Sequence, residues 1–466
     1  MVAPNLPDKW DHETEVLIIG AGTAGLPCAI VAAESGAKVT LLESMTICGG
    51  SGSLIAAGGG FAGTEWQKKA GIKDSPDLFY KDGVAAGGVP ELWRVYADNQ
   101  LDTYKWLSSL GIKPWTDELA MPPGHKVERL HWYRGAAAMK RIEERATELP
   151  RVEILLQHRA RRLIRHPFTG RIVGAEVEKG NKTLSFRGGK AVVLTTGGFG
   201  RNREMLQEYG ERYINCIPNM APGLFGDGLK MALDVGAATK YIGHAVVGSL
   251  PVCDTTRCDK GHYIVCWGGI VVNLNGKRFY DESCPKGYYG MLYDAGLDEP
   301  EGQMFIVYDA KIRKHPVAED SASHAKEYSA DTFEELAKAA GIKDSAAFAA
   351  TVQKYNEDIE SEGYDTVLGR KYLQSVYGAP LAVDVPPYYA IKCHTSLTSM
   401  KGGVKINTRC QVVDNYGDVI PGLYAIGEVT GGLVGKETYL GGLMWPASMT
   451  FGRLVGRSVA FEAALG

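Results

Sequence analysis

The stretch that most narrows what this chain can fold into is Gly20-Ala21-Gly22-Thr23-Ala24-Gly25. A β-rich run, Val16 to Ile19, leads into it, and an Ala-rich stretch of helical character leads out. After Gly36 a second strand, Lys38 to Leu42, ends in Glu43. Gly20 permits a tight turn, Gly22 lets the backbone approach a pyrophosphate, and Gly25 lets the helix pack against the strand. The helix N-terminus then turns its unpaired N–H groups toward the phosphates. Glu43 sits where a ribose hydroxyl would donate to it. The pattern predicts an N-terminal dinucleotide-binding unit and, alone, fits NAD as well as FAD.

A chain of 466 residues is too long for one ordinary core, so two domains are expected. Its 58 glycines fall in clusters, as suits backbone that approaches a ligand. The net charge of -3 leaves no basic footprint for nucleic acid. No apolar run approaches the roughly 20 residues of a membrane span. The nine cysteines form no CxxC pair and no metal-ligand spacing, which predicts reduced thiols. With no signal peptide pattern at the N-terminus, a cytoplasmic protein is expected.

Near the other end, VIPGLYAIGEVTGG (419–432) reads as a strand running into Gly427-Glu428. Residues 441–466 then read as a C-terminal helix with Pro446 in its first turn. A helix N-terminus there suits the negative charge that a flavin ring gains on reduction.

Both ends together resemble the FAD-dependent fumarate reductase/succinate dehydrogenase flavoprotein superfamily. The resemblance extends through CGGSGSLIAAGGG (48–60), VVLTTGGFGRN (192–202), PGLFGDGLKMALDVGAAT (222–239) and GGIVVNLNGKRFYDES (268–283). It implies FAD, held by Gly20, Gly22, Ala24, Gly25, Glu43, Ser44, Gly50, Gly58, Gly59, Ala160, Gly197, Asp227, Gly427 and Glu428. Members that bind the ring covalently use a His in the Gly-rich loop; this loop has none, which implies non-covalent FAD. The implied fold is α/β: a Rossmann-like FAD-binding domain (GR2-type, discontinuous) with an inserted α+β capping/catalytic domain. Residues 1–245 and 397–466 would form the FAD domain and 246–396 the cap. Within the cap, 331–360 has the periodicity of a helix pair broken at Gly341, and 364–389 reads as an irregular return.

Dicarboxylate reductases of this superfamily need cations to pair two buried carboxylates. Where the resemblance implies them, the chain reads HYIVCW (262–267), Thr398-Ser399-Met400 and Tyr439. The C-terminal block instead is similar to the 3-ketosteroid dehydrogenase branch, whose TYPG and GPAMTFG segments match Thr438-Tyr439-Leu440-Gly441 and Pro446-Ala447-Ser448-Met449-Thr450-Phe451-Gly452. That likeness implies an FAD-dependent dehydrogenase that introduces a C=C bond beside a ring ketone, of steroid or smaller cyclohexanone type. Tyr439 would remove the α-proton, and the N–H of Gly442 would hold the developing enolate. A second phenol would assist, with Tyr288 preferred over Tyr289, Tyr133 and Tyr263. His244, His131 and Lys401 are further polar residues near the expected domain junction. Trp267 and Trp445 suit either the wall of an apolar pocket or the core. The expected partners are a small cyclic ketone and an electron acceptor of unknown identity. An ene-reductase of the fumarate reductase type and a non-catalytic flavin electron-transfer protein are the alternatives.

Overall fold

The computed structural model describes residues 6–54, 56–121, 124–251, 262–284, 290–323, 325–373, 378–436 and 438–464. Four short runs, VLII, VTLL, AVVL and LYA, are buried throughout and carry no polar alternation. Such runs suit strands covered on both faces, as in a parallel sheet. They form the centre of an eight-stranded sheet. Val419–Ala425, Lys182–Leu194, His12–Ile19, Val39–Leu42 and Val152–Leu155 lie side by side in that order, all parallel. Gln411–Val413 closes one edge antiparallel to Val419–Ala425. Arg159–Arg165 and Ile172–Lys179 form an antiparallel extension on Lys182–Leu194.

The register decides where a ligand can sit. Ile19 pairs with Leu42 and with Leu194, and Leu194 pairs with Ala425. Four strands therefore end level, and the segments that follow, beginning at Gly20, Glu43, Thr195 and Ile426, emerge together. This carboxyl edge is where open α/β sheets bind ligands.

Two helices cover one side of the sheet at this edge. Gly25–Glu34 follows the fingerprint, and Met444–Val459 packs against it. Their axes come close because Gly456 carries no side chain: a Cβ there would lie 2.4 Å from the Cys28 carbonyl oxygen. Pro446 falls in the first turn of the C-terminal helix, as expected.

A second, mostly antiparallel sheet is built on the long strand Tyr388–Met400. It takes Ala245–Pro251 on one side and Gln303–Asp309, then Ile270–Asn273, on the other. Glu327–Ala330 and Ile217–Pro218 also pair with that strand. The strand runs past residue 396, where the sequence places a junction, and Ile217–Pro218 comes from well before residue 246. The expected helix pair is present as Phe333–Ala340 and Ser345–Glu362, with Gly341 in the left-handed region at φ +84°. A Gly there ends a helix without the penalty that a Cβ would bring.

Candidate active site

The level strand ends open into one cleft of about 1520 Å³. Gly20, Gly22, Ala24, Glu43, Ser44, Gly50, Gly58, Ala160, Gly197, Asp227, Gly427 and Glu428 all line it. Gly25 lies beneath rather than in the wall. A Cβ on Gly25 would sit 1.9 Å from the Gly20 carbonyl oxygen, so only Gly allows the helix to start against the turn. Gly20 has φ +113°, and a Cβ there would strike the Thr195 carbonyl at 2.5 Å. Gly22 is different: a Cβ on it meets no protein atom within 4 Å and faces open space. The Glu43 carboxylate accepts the N–H of Ala21 at 2.9 Å and of Met45 at 2.8 Å, which fixes it beside the turn. Gly49 donates to the Ala21 carbonyl at 2.8 Å and ties the Gly-rich loop to the same place.

Asp227 and Ala160 line the cleft together with His158 and Arg159. Arg159 grips Asp227 through two hydrogen bonds of 2.6 and 2.9 Å. Glu428 lies at the strand-end side of the cleft and accepts the Met400 N–H at 2.8 Å. Desolvation pushes its carboxyl up to about 7, against the lowering effect of the Met400 and Gly198 N–H groups. A folded-state pKa raised in this way stabilises the protein fully only below the ordinary carboxyl range. The contribution is lost as pH rises through about 7. FAD-free protein is therefore expected to lose thermal stability between pH 5 and pH 8, and Glu428→Gln to flatten that slope. Parallel melting curves for the two proteins across this range would contradict the assignment.

The wall also holds aromatic and aliphatic side chains, Trp115, Leu119, Met121, Trp132, Val246, Trp267 and Trp445, beside the polar Thr116, Glu118, Glu128, Thr398 and Ser399. Tyr439 and the Gly441-Gly442 pair join them. The backbone N–H groups of Leu443 and Met444, at the start of the C-terminal helix, point at the Tyr439 oxygen. They pull its pKa down, but burial outweighs them and leaves the phenol at about 12. Gly442 has φ +76°, and its carbonyl accepts the Gly60 N–H at 2.9 Å. Among the described lining residues Arg159 is the one Lys or Arg, and it is committed to Asp227.

Residues 15–443 match the FAD binding domain family. A probable fumarate reductase of Shewanella frigidimarina (strain NCIMB 400) is 31% identical over 98% of this chain and 78% of its own length. This chain belongs to the FAD-dependent fumarate reductase/succinate dehydrogenase flavoprotein superfamily. A urocanate reductase of Eggerthella lenta is 27% identical over 98% of the flavoprotein and 76% of the relative. Among solved structures, the open conformation of a flavocytochrome c3 fumarate reductase superposes with a TM-score of 0.81 at 31% identity, covering 97% of this flavoprotein and 78% of that chain. A 3-ketosteroid-Δ4-(5α)-dehydrogenase from Rhodococcus jostii RHA1, in complex with 4-androstene-3,17-dione, gives 0.80 at 25% identity, covering 99% and 100%. The flavoprotein is thus an FAD-binding oxidoreductase, and the likeness on which the sequence reading rested holds.

Its cleft fits the cofactor on its own terms. Gly22 leaves an open face in the wall, where an added Cβ would meet no protein atom within 4 Å and a phosphate could approach the backbone.

Several sequence expectations land elsewhere. Gly59 is not in the cleft wall, because strand Ala56–Gly60 pairs with Leu130–Arg134 and alternates its faces. Gly58 and its partner Trp132 face the cleft, whereas Gly59 faces the rings of Phe61 and Tyr133. The same alternation removes His131 and Tyr133 from the site. His131 is buried, bonded to Thr64 Oγ1 at 2.9 Å and to the Arg129 carbonyl at 2.8 Å. Tyr133 packs on Trp445 with ring centroids 5.2 Å apart. His244 and Lys401 join through their backbones at 2.8 Å and stand outside the wall. Tyr288 and Tyr289, and the side chain of Tyr263, lie outside the described residues. Thr195 and Thr196 were missed by the sequence reading, although the VVLTTGG segment contains them. Thr195 Oγ1 donates to the carbonyls of Ile19 and Gly20 at 2.9 and 2.7 Å and holds the turn to the next strand end.

Among the described residues no helix is long and apolar enough to cross a membrane, and no group of three or more potential metal ligands occurs. The seven described cysteines are free thiols.

Proposed function

We propose that this flavoprotein desaturates an uncharged ring ketone between its α and β carbons. The observation that carries the reading is Tyr439, set against the first N–H groups of a helix in a cleft wall that also carries Trp115, Leu119, Met121, Trp132, Trp267 and Trp445. A phenol so placed can become the phenolate that removes an α-proton, because the helix N-terminus offsets part of the cost of burying the anion. The developing enolate oxygen would be met by the N–H of Gly442, with a second phenol, preferably Tyr288, assisting. Bound FAD supplies the two-electron acceptor for the hydride that leaves the β carbon. The carbon–carbon double bond is the balance of those two losses. Walls of Trp, Leu and Met suit an alicyclic substrate, and among the described lining residues the one Lys or Arg, Arg159, is already paired with Asp227. Non-covalent FAD, supported by the absence of His from residues 48–60, completes the reading. We place residues 246–396 with the substrate-side cap and the flavoprotein in the cytoplasm, the latter in keeping with its free thiols.

Burial sets the direction of the pH dependence. With the Tyr439 phenol at about 12, the phenolate fraction rises about tenfold per pH unit below that value. Desaturation kcat/KM should climb from pH 7 to pH 10 without a plateau, whereas reduction of the enone, which needs the neutral phenol as acid, should stay level. A desaturation profile flat over that range would refute Tyr439 as base.

The second reading is reduction of an unsaturated carboxylate, favoured by relatives named as fumarate, urocanate and acrylate reductases. A turnover panel separates the two. Steroid and simple cyclic ketones are offered with an artificial electron acceptor, and fumarate, urocanate and acrylate with a reduced dye. Enone formation from a ketone is the expected result; turnover confined to the carboxylates would overturn the proposal.

A further inference from the structure

Behind the Gly441-Gly442 pair lies a buried polar chain that the reaction as drawn does not use. Arg129 is 0% exposed and sits between two carboxylates. Its Nε and Nη2 donate to Asp74 at 2.7 and 2.8 Å, and its Nη1 donates to Asp82 at 2.8 Å. The guanidinium lies 4.3 Å from the centroid of the Phe79 ring, which keeps it in one plane. Asp74 is held further by Gln67 Nε2 and by the Ser75 N–H, and Asp82 by the Lys126 N–H. The chain continues from Arg129 Nη1 to Nδ1 of His125 at 3.1 Å, and from His125 Nε2 to the Gly441 carbonyl oxygen at 2.8 Å.

Donor arithmetic fixes the tautomer. A guanidinium only donates, so His125 Nδ1 must accept and the ring proton must sit on Nε2. Nε2–H therefore donates to Gly441. The Gly441–Gly442 peptide is not among the cis bonds, and in a trans peptide the carbonyl and the following N–H point to opposite sides. Pinning the Gly441 carbonyl toward His125 thus turns the Gly442 N–H the other way. The Gly442 carbonyl is pinned in turn by Gly60. His125 is 4% exposed and joins residues 316 positions apart.

We infer that His125, clamped by the Asp74–Arg129–Asp82 triad, is a positioning residue for catalysis: its Nε2–H orients the Gly441–Gly442 peptide so that the Gly442 N–H serves the reaction. This rests on the enolate-holding role given to Gly442 above. Burial and the neighbouring cation also hold the imidazole well below its usual range, at about 3, so it stays neutral and in one tautomer at any working pH. Groups facing it are Arg129 and Asp74 on one side and Phe79 at 6.0 Å on another. Cutting Arg129 itself would be uninformative, because it strands two buried carboxylates and unfolding would follow.

The test uses the FAD-loaded enzyme. His125→Leu has no donor and is expected to lose about 100-fold in kcat, the order seen when one oriented donor is removed, with KM and FAD content within about threefold. His125→Gln keeps an N–H toward Gly441 and is expected to recover at least about tenfold of that loss. Wild-type kcat in His125→Leu, or equal loss in both variants accompanied by loss of FAD, would overturn the inference. A readout that needs no substrate is the nitrogen spectrum of histidine-labelled holoenzyme. One imidazole should remain neutral and Nε2-protonated from pH 6 to pH 9, and its signal should vanish in His125→Gln. An Nδ1-protonated ring, or one that titrates near the usual His value, would overturn it. Failure of every ketone in the wild-type enzyme with this spectrum intact would instead strike the substrate assignment alone.

Discussion

Replacing Tyr439 by Phe is expected to leave an FAD-loaded, folded enzyme whose turnover falls by about 10²–10⁴-fold, the usual worth of a positioned acid or base. The ring is retained, so the apolar contacts of the wall persist and only the oxygen facing Leu443 and Met444 is lost. KM should change little, because the phenol acts on a proton that moves only in the transition state. The alkaline climb of kcat/KM should vanish with it. A Phe variant as active as wild type would remove Tyr439 from the chemistry.

The second large effect concerns the cofactor. Gly22→Ala should fold like wild type, since the added Cβ meets no protein atom within 4 Å. It should nonetheless weaken FAD by about 100-fold, roughly 2.7 kcal/mol, because that Cβ enters the space through which the backbone approaches the pyrophosphate. Gly25→Ala is the contrast. Its Cβ would lie 1.9 Å from the Gly20 carbonyl oxygen, so the turn itself must break and the apoprotein should melt far earlier. Titrating FAD into the two apoproteins, with melting curves beside each, separates a glycine kept for the ligand from one kept for the fold. Equal FAD affinity in Gly22→Ala and wild type would mean that the phosphates pass elsewhere.

Much of this site was legible because its signals are local. The fingerprint, Glu43 and the Gly427-Glu428 turn each lie within a few residues of a strand end, and a strand end is itself readable from a buried apolar run. Level register then brings them together without any long-range choice. Where the sequence reading missed, the deciding fact was three-dimensional. Gly58 and Gly59 look alike in sequence, and only the pairing of Gly59 with His131 says which of them faces the Phe61 and Tyr133 rings. His131 drew notice as a His near a junction, yet the functional His proposed here is His125. Its link to Gly441 has no local signature, since it spans 316 positions and depends on Arg129 to set the proton. The strand Tyr388–Met400 likewise reads as one element only when its partners Ala245–Pro251 and Gln303–Asp309 are in view.

The most direct measurement of the central claim is a single turnover. Oxidised holoenzyme is mixed without oxygen with a 3-ketosteroid or a cyclohexanone, and the flavin and enone bands are followed together. Loss of the oxidised flavin band in step with one equivalent of enone, abolished in Tyr439→Phe, is the predicted result. Flavin that stays oxidised with every ketone, while the photoreduced enzyme is rapidly reoxidised by fumarate, would contradict it.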